Sequence, residues 1–247
     1  MKSFYATFFA CLLFLTVSIC KAQDNFQPGY AILNDGTRIS GQINYSANEP
    51  WLNQRFIWLK DSASIASSGA DKAKFKKYKI DEIQSYQVGQ RSYEKIHYAD
   101  LEKIQFKTLG ANEHLLEKLS SGKINSYRYY SYPKDIDIYV GTNSQEVNRR
   151  VKQEKEDLLD SWKFLTQKGT DDKFRNAFDY DIQKYFEDTP EVLQKYQNGG
   201  YGNEPVSAKK GLAAKMMAMA KQKALMPLQY ESIAAAFNDY NLKNGSK

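Results

Sequence analysis

The run GYAILNDGTRISGQINY, residues 29–45, holds two series of alternating apolar and polar residues around Asp35-Gly36. Asp-Gly is a favoured two-residue loop of β-hairpins because both positions accept positive φ. Folding about this loop places Tyr30 opposite Gly41, which leaves room for the tyrosine ring. No helix pattern and no Lys-Ser/Thr pair follows the glycines, as a phosphate loop requires. The stretch therefore predicts an antiparallel hairpin and not a nucleotide site.

The two-residue periodicity continues to about residue 142 and predicts more strands. They are Arg55–Lys60, Gln84–Val88, Ser92–Tyr98, Ile124–Tyr132 and Asp135–Val140, with turns at Gly89-Gln90 and Ser121-Gly122-Lys123. The short gaps contain turns and no crossover helices, which favours antiparallel pairing. Residues 61–74 are small and polar and predict a surface loop.

After residue 142, apolar residues recur at three- and four-residue spacing, which predicts helices. Asn143 and Glu146 form an Asn version of the capping box, and the apolar stripe reaches Leu165 before Gly169 ends the helix. Further helices are predicted from Thr170 through Tyr185, from Pro190 to Tyr196, from Ser207 to Leu225 and from Gln229 to Leu242. The fold class is thus α+β. A β-rich domain, 23–142, forms a small barrel or sandwich and precedes a helical region, 143–247.

Residues 1–22 have the form of a secretory signal peptide. Lys2 supplies the positive start, Phe4 to Ile19 is apolar, and small residues precede a cleavage point after Ala22. The alternative is a lipoprotein acylated at Cys20, which the bulky Ile19 disfavours. The sequence predicts export to the periplasm, the outer membrane or the extracellular space.

Removal of that segment changes the composition. Both cysteines, Cys11 and Cys20, are lost, so disulfides, a thiol nucleophile and thiolate metal sites are excluded from the mature chain. Basic residues fall from 35 to 33 against 29 acidic ones, a mild net charge of +4. This charge permits contact with an anionic membrane surface without predicting nucleic acid as a partner. No later segment reaches the ~20 apolar residues of a membrane-spanning helix.

Several landmarks resemble those of exported proteins of Bacteroidetes-type bacteria, which begin with a similar glycine-tyrosine hairpin. Besides residues 29–43, the matching pieces are Ile80-Asp-Glu-Ile83 with Tyr86, Leu115 to Tyr127, Tyr185-Phe-Glu-Asp-Thr-Pro190, Gln197-Asn-Gly199 and Asp239-Tyr-Asn241. The resemblance implies an envelope location. It implies no established activity and no site residues, and the Lys/Met-rich segment near residue 215 has no counterpart in it.

The sequence contains few residue patterns that indicate a catalytic site. His97 and His114 lie in different elements, and no serine has the glycine pattern of a nucleophile elbow. Asp135 and Asp137 fit a solvated sheet face, and Asp171-Asp172 fit a helix's first turn. No catalytic, metal or cofactor-binding residue is assigned, and the sequence favours a protein without enzymatic activity.

Three segments could bind a partner. The tyrosines of the segment 127–132 could stack on sugars or contact a protein, although tyrosine is also a good strand residue. These are Tyr127, Tyr129, Tyr130 and Tyr132. The predicted helix 207–225 presents Lys210, Lys215, Met216 and Met219 on an amphipathic surface. Lys72–Lys79 surrounds Phe75 with lysines, which is typical of a protected sheet edge.

These features favour an envelope-associated binding or structural module whose partner is an envelope protein or a polysaccharide. Two alternatives stay open. The first is a carboxylate-based hydrolase acting on envelope or extracellular glycan, which requires two carboxylates about 5–10 Å apart. The second is a peripheral membrane-surface protein that uses the Lys/Met helix.

Overall fold

The computed structural model describes residues 25–100, 112–133, 144–171, 173–206, 216, 220 and 226–245. Within these residues, one antiparallel sheet contains ten strands: β1 (Phe26–Leu33), β2 (Arg38–Asn44), β3 (Phe56–Asp61), β4 (Lys76–Lys79), β5 (Ile83–Val88), β6 (Arg91–His97), β7 (Glu113–Ser120), β8 (Ile124–Tyr129), β9 (Lys163–Lys168) and β10 (Arg175–Asn176). Their order in the sheet is β10-β9-β8-β7-β6-β5-β1-β2-β3-β4. The sheet is therefore two meanders that meet where β1 pairs with β5.

Helices accompany the sheet, which confirms the predicted α+β class. Five α-helices have their bounds within the described residues: α1 (Pro50–Asn53), α2 (Ser62–Ser68), α3 (Ser144–Asp160), α4 (Pro190–Gln197) and α5 (Tyr230–Asn244). Short 3-10 segments lie at Ala177–Asp179, Ile182–Tyr185 and Met226–Gln229. In the described part of the chain, no helix combines the length and the apolar character that crossing a membrane requires.

The first hairpin forms, but its loop differs from the predicted one. The Leu33 N–H donates to the Thr37 carbonyl at 2.9 Å, and the Gly36 N–H donates to the Leu33 carbonyl at 3.0 Å. Three residues, 34–36, thus form the loop. Gly36 has φ 85°, whereas no non-glycine residue of the described part has positive φ, so the prediction for Asp35 is wrong. A turn followed by a left-handed glycine is the usual three-residue connection.

The longer loop shifts the strand register by one residue. Tyr30 pairs with Ser40 and not with Gly41, so the predicted reason for a glycine at position 41 is also wrong. Since side chains alternate along a strand, Ala31 lies in the core while the Tyr30 ring points to the other face. There the Arg38 guanidinium lies 3.7 Å from the ring centroid.

Gly29 and Gly41 face each other across β1 and β2, and each allows a neighbouring strand to approach. A Cβ at Gly29 would lie 2.2 Å from the Gln87 carbonyl oxygen of β5. A Cβ at Gly41 would lie 2.0 Å from the Lys60 carbonyl oxygen of β3. Backbone oxygens cannot give way by rotating, so both positions require glycine. These glycines therefore allow close packing of the strands in the middle of the sheet.

The sheet curls until two distant parts of it meet at Gln54, just before β3. The Gln54 amide donates to the Tyr130 carbonyl at 2.8 Å and accepts from the Tyr130 N–H at 2.7 Å. The Gln54 carbonyl also accepts from the Leu115 N–H of β7 at 2.9 Å. Because β3 and β7 are five places apart in the strand order, these bonds require strong curvature. The curled sheet resembles a barrel in which hydrogen bonds of Gln54, and not a continuous strand pair, join the two parts.

The inner face of the sheet, which carries Ala31 and Ile43, holds two neighbouring cores. The first lies on strands β1–β7. The second is rich in aromatic residues and lies between β8–β9 and the C-terminal helices. Its largest buried members are Phe164, Phe186, Phe237 and Tyr240. A smaller cluster on the outer face contains Leu116, Tyr127, Tyr129 and Leu165.

The predicted helical region contains strands, which corrects two predictions. The helix predicted to reach Gly169 ends at Asp160, and Lys163–Lys168 is β9, paired with β8. Phe164 packs in an inner core and Leu165 in the outer cluster, so β9 is apolar on both faces. Such a run has no two-residue alternation and is easily mistaken for a helix. The helix predicted for 170–185 is replaced by β10 and two 3-10 segments.

Among the remaining predicted elements, one is wrong, two are confirmed and several lie outside the described residues. The loop predicted for 61–74 contains α2, because the Asp61 carboxylate caps it by accepting from the Ser64 N–H at 2.7 Å. Helices α4 and α5 confirm the predictions for 190–196 and 229–242. The predicted strand at 135–140, the Asn143 cap and most of the Lys/Met helix lie outside the described residues. Met216 and Ala220 of that helix are described and are helical.

Candidate functional site

Strand β3 carries apolar side chains on both faces. Ile57 and Leu59 belong to the core of the inner face. Phe56 and Trp58 point to the outer face and are half-buried. A solvated outer face normally carries polar residues, so an aromatic row next to the sheet edge indicates a binding surface.

These rings belong to a continuous aromatic row. The Phe56 and Trp58 centroids are 6.1 Å apart, and the Trp58 and Phe75 centroids are 5.0 Å apart, both pairs edge to face. Phe26 of β1 extends the row, 6.3 Å from Phe75. The Phe75 side chain is 55% exposed although it is large and apolar. Phe75 thus lies within the row, between Trp58 and Phe26, and leaves more than half of its surface exposed to solvent.

Lysines lie over the same rings. The Lys77 ammonium is 3.7 Å from the Phe56 centroid and 5.3 Å from the Trp58 centroid. Each of these contacts is a cation–π interaction. Strand β4 sets the position of Lys77, because Lys77 pairs directly with Trp58. We call Phe26, Phe56, Trp58, Phe75 and Lys77 the aromatic–lysine surface.

The surroundings of this surface are open and basic. Strand β4 is the edge of the sheet, which confirms the prediction of a lysine-protected edge. Lys74 and Lys79 are exposed beside it. A cavity of about 530 Å³ continues from Phe56 and Lys77 to Arg55, with Asp81 and Glu113 also in its lining.

Only the lysine-rich part of this surface was predicted from the sequence. The lysines around Phe75 lie close together in the chain, between Lys72 and Lys79, and could be recognised as a cluster. Phe56 and Trp58 alternate with Ile57 and Leu59, so apolar residues lie on both faces of this strand. Together with the lysine-rich segment, this pattern was the signal that could have located the surface. Phe26 could not be connected to Phe75 from sequence, because their contact depends on the order of β1, β2 and β3.

The predicted tyrosine cluster is only partly accessible. Tyr127 and Tyr129 are buried, and burial raises the pKa of both hydroxyls above the usual value. The Tyr127 hydroxyl donates to the Glu94 carboxylate at 3.0 Å. Tyr130 and Tyr132 are half-buried. The burial favours a packing role for the first two, and partner binding by the other two stays a prediction.

The predicted amphipathic helix is described at one of its four named positions. Met216 is helical and 63% exposed. Lys210, Lys215 and Met219 lie outside the described residues. Binding of a membrane or a partner by this helix stays a prediction.

The two histidines have different environments. His114 of β7 is buried, with Nδ1 at 3.1 Å from the Tyr132 hydroxyl and Nε2 at 3.0 Å from the Tyr98 carbonyl. Burial lowers its pKa to about 4, so the ring is neutral at physiological pH. His97 is exposed at the end of β6. Within the described ranges, no group of three or more histidine, cysteine or carboxylate side chains could hold a metal ion.

A buried ion pair lies on the outer face. The Lys163 ammonium is 2.8 Å from the Asp100 carboxylate, and both side chains are less than a tenth exposed. The Ser131 hydroxyl donates to the same carboxylate at 3.5 Å. Ser131 is only 2% exposed, so it is closed to a substrate from solvent. Enclosure assigns this group to packing.

Asp171, Asp179 and Asp181 form local hydrogen bonds, and Asp172 lies outside the described residues. The Asp171 carboxylate accepts from the Lys173 N–H and from the Arg175 guanidinium, which lowers the pKa of Asp171. Asp179 accepts from the Asn176 amide at 2.6 Å, and Asp181 accepts from the Gln183 N–H at 3.1 Å. Of these, Asp181 caps the 3-10 segment Ile182–Tyr185. Asp135 and Asp137 lie outside the described residues.

No family model matches the chain, and comparison with curated proteins and with solved structures likewise yields no match.

Proposed function

We propose that the protein is an exported binding module, without catalytic activity, that holds an anionic polysaccharide on the aromatic–lysine surface. The observation that carries this proposal is the exposed Phe75 ring within an aromatic row that also carries lysine contacts. Although Phe75 contacts Trp58 and Phe26, it stays 55% exposed, and leaving apolar ring surface in water costs a folded protein free energy.

The chemistry of the surface fits a sugar polymer that carries acid groups. Aromatic rings provide flat apolar faces for the C–H sides of sugar rings, and Trp58 and Phe75 present two such rings at 5.0 Å. The Lys77 ammonium is free to approach a carboxylate or phosphate while it keeps its contact with Phe56. An open sheet face with a cavity at one end suits an extended chain more than a small molecule.

The proposed location rests on the sequence. Residues 1–22 have the signal-peptide pattern, and the resemblance to exported Bacteroidetes-type proteins indicates the cell envelope. Anionic polysaccharides are polymers that an exported protein meets there. The proposed location and the proposed polysaccharide binding are independent, because binding at the aromatic–lysine surface can be tested on purified protein.

The proposal is tested by calorimetric titration with polygalacturonate as the anionic polymer and dextran as the neutral one. We expect binding of polygalacturonate and weaker binding of dextran. Phe75→Ala and Trp58→Ala should each weaken binding by at least about tenfold, which corresponds to about 1.4 kcal/mol. Lys77→Gln should weaken binding only at low salt, since salt screens an exposed charge.

The control is Leu242→Ala, which removes another exposed apolar side chain, on α5. We expect the affinity of this variant to equal that of the unchanged protein. Equal affinity of Phe75→Ala and Leu242→Ala would contradict the proposal. Binding to anionic phospholipid vesicles but not to polygalacturonate would favour the membrane alternative, and release of reducing ends would favour the hydrolase.

A further inference from the structure

A second candidate site lies at the other end of the strand order, beside β9 and β10. A cavity of about 540 Å³ opens there, within the size range of small-molecule sites. Its cationic lining residues are Lys168, Lys173, Arg175 and Lys184, and its described lining contains one carboxylate, Asp171. This cavity shares no lining residue with the aromatic–lysine surface or with the cavity beside that surface, so the two sites are separate.

Two of the four cations are already neutralised. The Lys168 ammonium lies 2.9 Å from the Asp188 carboxylate and also donates to the Tyr185 carbonyl at 2.8 Å. The Arg175 guanidinium lies 3.2 Å from Asp171. This leaves the guanidinium with further N–H groups, because a guanidinium has five donors.

The other two cations, Lys173 and Lys184, are exposed at the cavity. Among the described residues, no carboxylate forms an ion pair with either ammonium group. Lys184 and Arg175 both lie over the Tyr180 ring, at 5.6 Å and 5.2 Å from its centroid. The Tyr180 ring therefore brings two positive charges near each other at the cavity.

The loop geometry keeps these groups in place. Gly169 has φ 62°, which turns the chain out of β9. The Asp171 carboxylate accepts from the Lys173 N–H at 3.1 Å and orients Arg175. Beneath them, the Thr166 hydroxyl donates to the Arg175 carbonyl at 3.1 Å. Polar contacts within the fold therefore hold the backbone of this loop and the side chain of Arg175.

We propose that this cavity binds a small phosphate monoester, such as a sugar phosphate. A phosphate dianion matches two unpaired ammonium groups and the spare donors of a guanidinium. The cavity volume exceeds what an inorganic phosphate fills, so an attached organic group has room. The proposal is independent of polysaccharide binding.

The test is calorimetric titration of the protein with hexose 6-phosphate, hexose 6-sulfate, inorganic phosphate and unmodified hexose. We expect hexose 6-phosphate to bind most tightly and unmodified hexose not to bind. The double variant Lys173→Gln/Lys184→Gln should lose at least about tenfold in affinity for hexose 6-phosphate. The charge-matched control is Arg149→Gln/Lys152→Gln on α3, where both side chains are more than two thirds exposed.

Each outcome decides the proposal. Loss of affinity in the first double variant with no loss in the control supports it. Equal affinities of the two double variants would overturn it, as would the absence of any binding by the unchanged protein up to about 10 mM ligand. Equal affinity for inorganic phosphate and hexose 6-phosphate would overturn the role of the organic group. Polygalacturonate binding by the first double variant should stay unchanged, so failure here leaves the proposed function intact.

Discussion

His114 gives the molecule a pH dependence that follows from one buried ring. Its pKa is about 4 in the folded chain and about 6.5 when unfolded. As the pH falls, the unfolded chain therefore takes up the proton first, and stability is lost between about pH 6.5 and pH 4. From these two values, the loss at pH 5 relative to pH 8 is about 2 kcal/mol.

We expect His114→Gln to remove this contribution. Glutamine keeps a hydrogen-bonding side chain near Tyr98 and Tyr132 but does not titrate. Urea unfolding at pH 5 and pH 8 should show a smaller acid loss of stability than in the unchanged protein, by about 2 kcal/mol. His97→Gln is the matched control, because His97 is exposed and should leave the difference unaltered. An unchanged pH dependence in His114→Gln would show that the ring is not held neutral.

The glycines show what could be predicted at single residues. The turn at Gly36 was predictable, because Asp-Gly between alternating runs is a local signal. Its exact loop length was not predictable, and the resulting shift of one residue reversed the faces of Tyr30 and Ala31. Gly29 and Gly41 serve contacts with β5 and β3, so their role depends on strands that are distant in sequence.

At the scale of elements, one polar side chain of α5 forms hydrogen bonds with the backbone of the sheet. The Asn241 amide oxygen accepts from the Ile124 N–H at 2.8 Å. Its amide nitrogen donates to the Ile124 carbonyl at 2.8 Å and to the Ser121 carbonyl at 3.1 Å. The C-terminal helix thereby completes the turn between β7 and β8.

We expect Asn241→Ala to lower the free energy of unfolding by about 1–3 kcal/mol, because it leaves the buried Ile124 N–H without its acceptor, whereas the Ile124 carbonyl still accepts from the Ser120 hydroxyl. The control is Asn238→Ala, one turn earlier on the exposed side of α5, which should cost less than about 0.5 kcal/mol. Chemical denaturation measures both. Similar values for the two variants would mean that Asn241 does not fasten the helix.

Strand β9 shows where element prediction failed. Trp162 and Leu165 are three residues apart, as in a helix stripe, and Gly169 looks like a helix end. The stretch is a strand because both its faces are covered, Phe164 by the aromatic core and Leu165 by the outer cluster. Burial on both sides depends on the whole fold. In contrast, α4 was predictable, since proline at its start and glycines after its end mark it locally.

At the scale of the molecule, one sheet joins the two regions that the sequence suggested. Strands β9 and β10 come from the predicted helical region and extend the sheet of the predicted β-rich domain. The α+β class was predictable from periodicity alone. The candidate sites were not, because each is assembled by the strand order. Phe26 meets Phe75, and Lys184 meets Arg175 over Tyr180, through contacts between separate elements.

The two ends of the sheet present different chemistry. At the β4 end, half-buried and exposed rings lie with lysines on an open face. At the β10 end, a cavity is lined by Arg175 and by Lys173 and Lys184, which form no ion pair among the described residues. The first suits an extended anionic polymer and the second a small phosphate ester. Polymer binding is the central proposal, since the Phe75 ring stays 55% exposed although it contacts Trp58 and Phe26.

Hydroxyl-radical footprinting of the unmodified protein tests that proposal most directly. With saturating polygalacturonate, we expect oxidation of Phe26, Trp58 and Phe75 to fall severalfold, because the polymer covers their rings. Oxidation of Tyr201 and Tyr230, which are half-buried elsewhere, should not change. Equal oxidation of Trp58 and Phe75 with and without bound polymer would contradict binding at the aromatic–lysine surface.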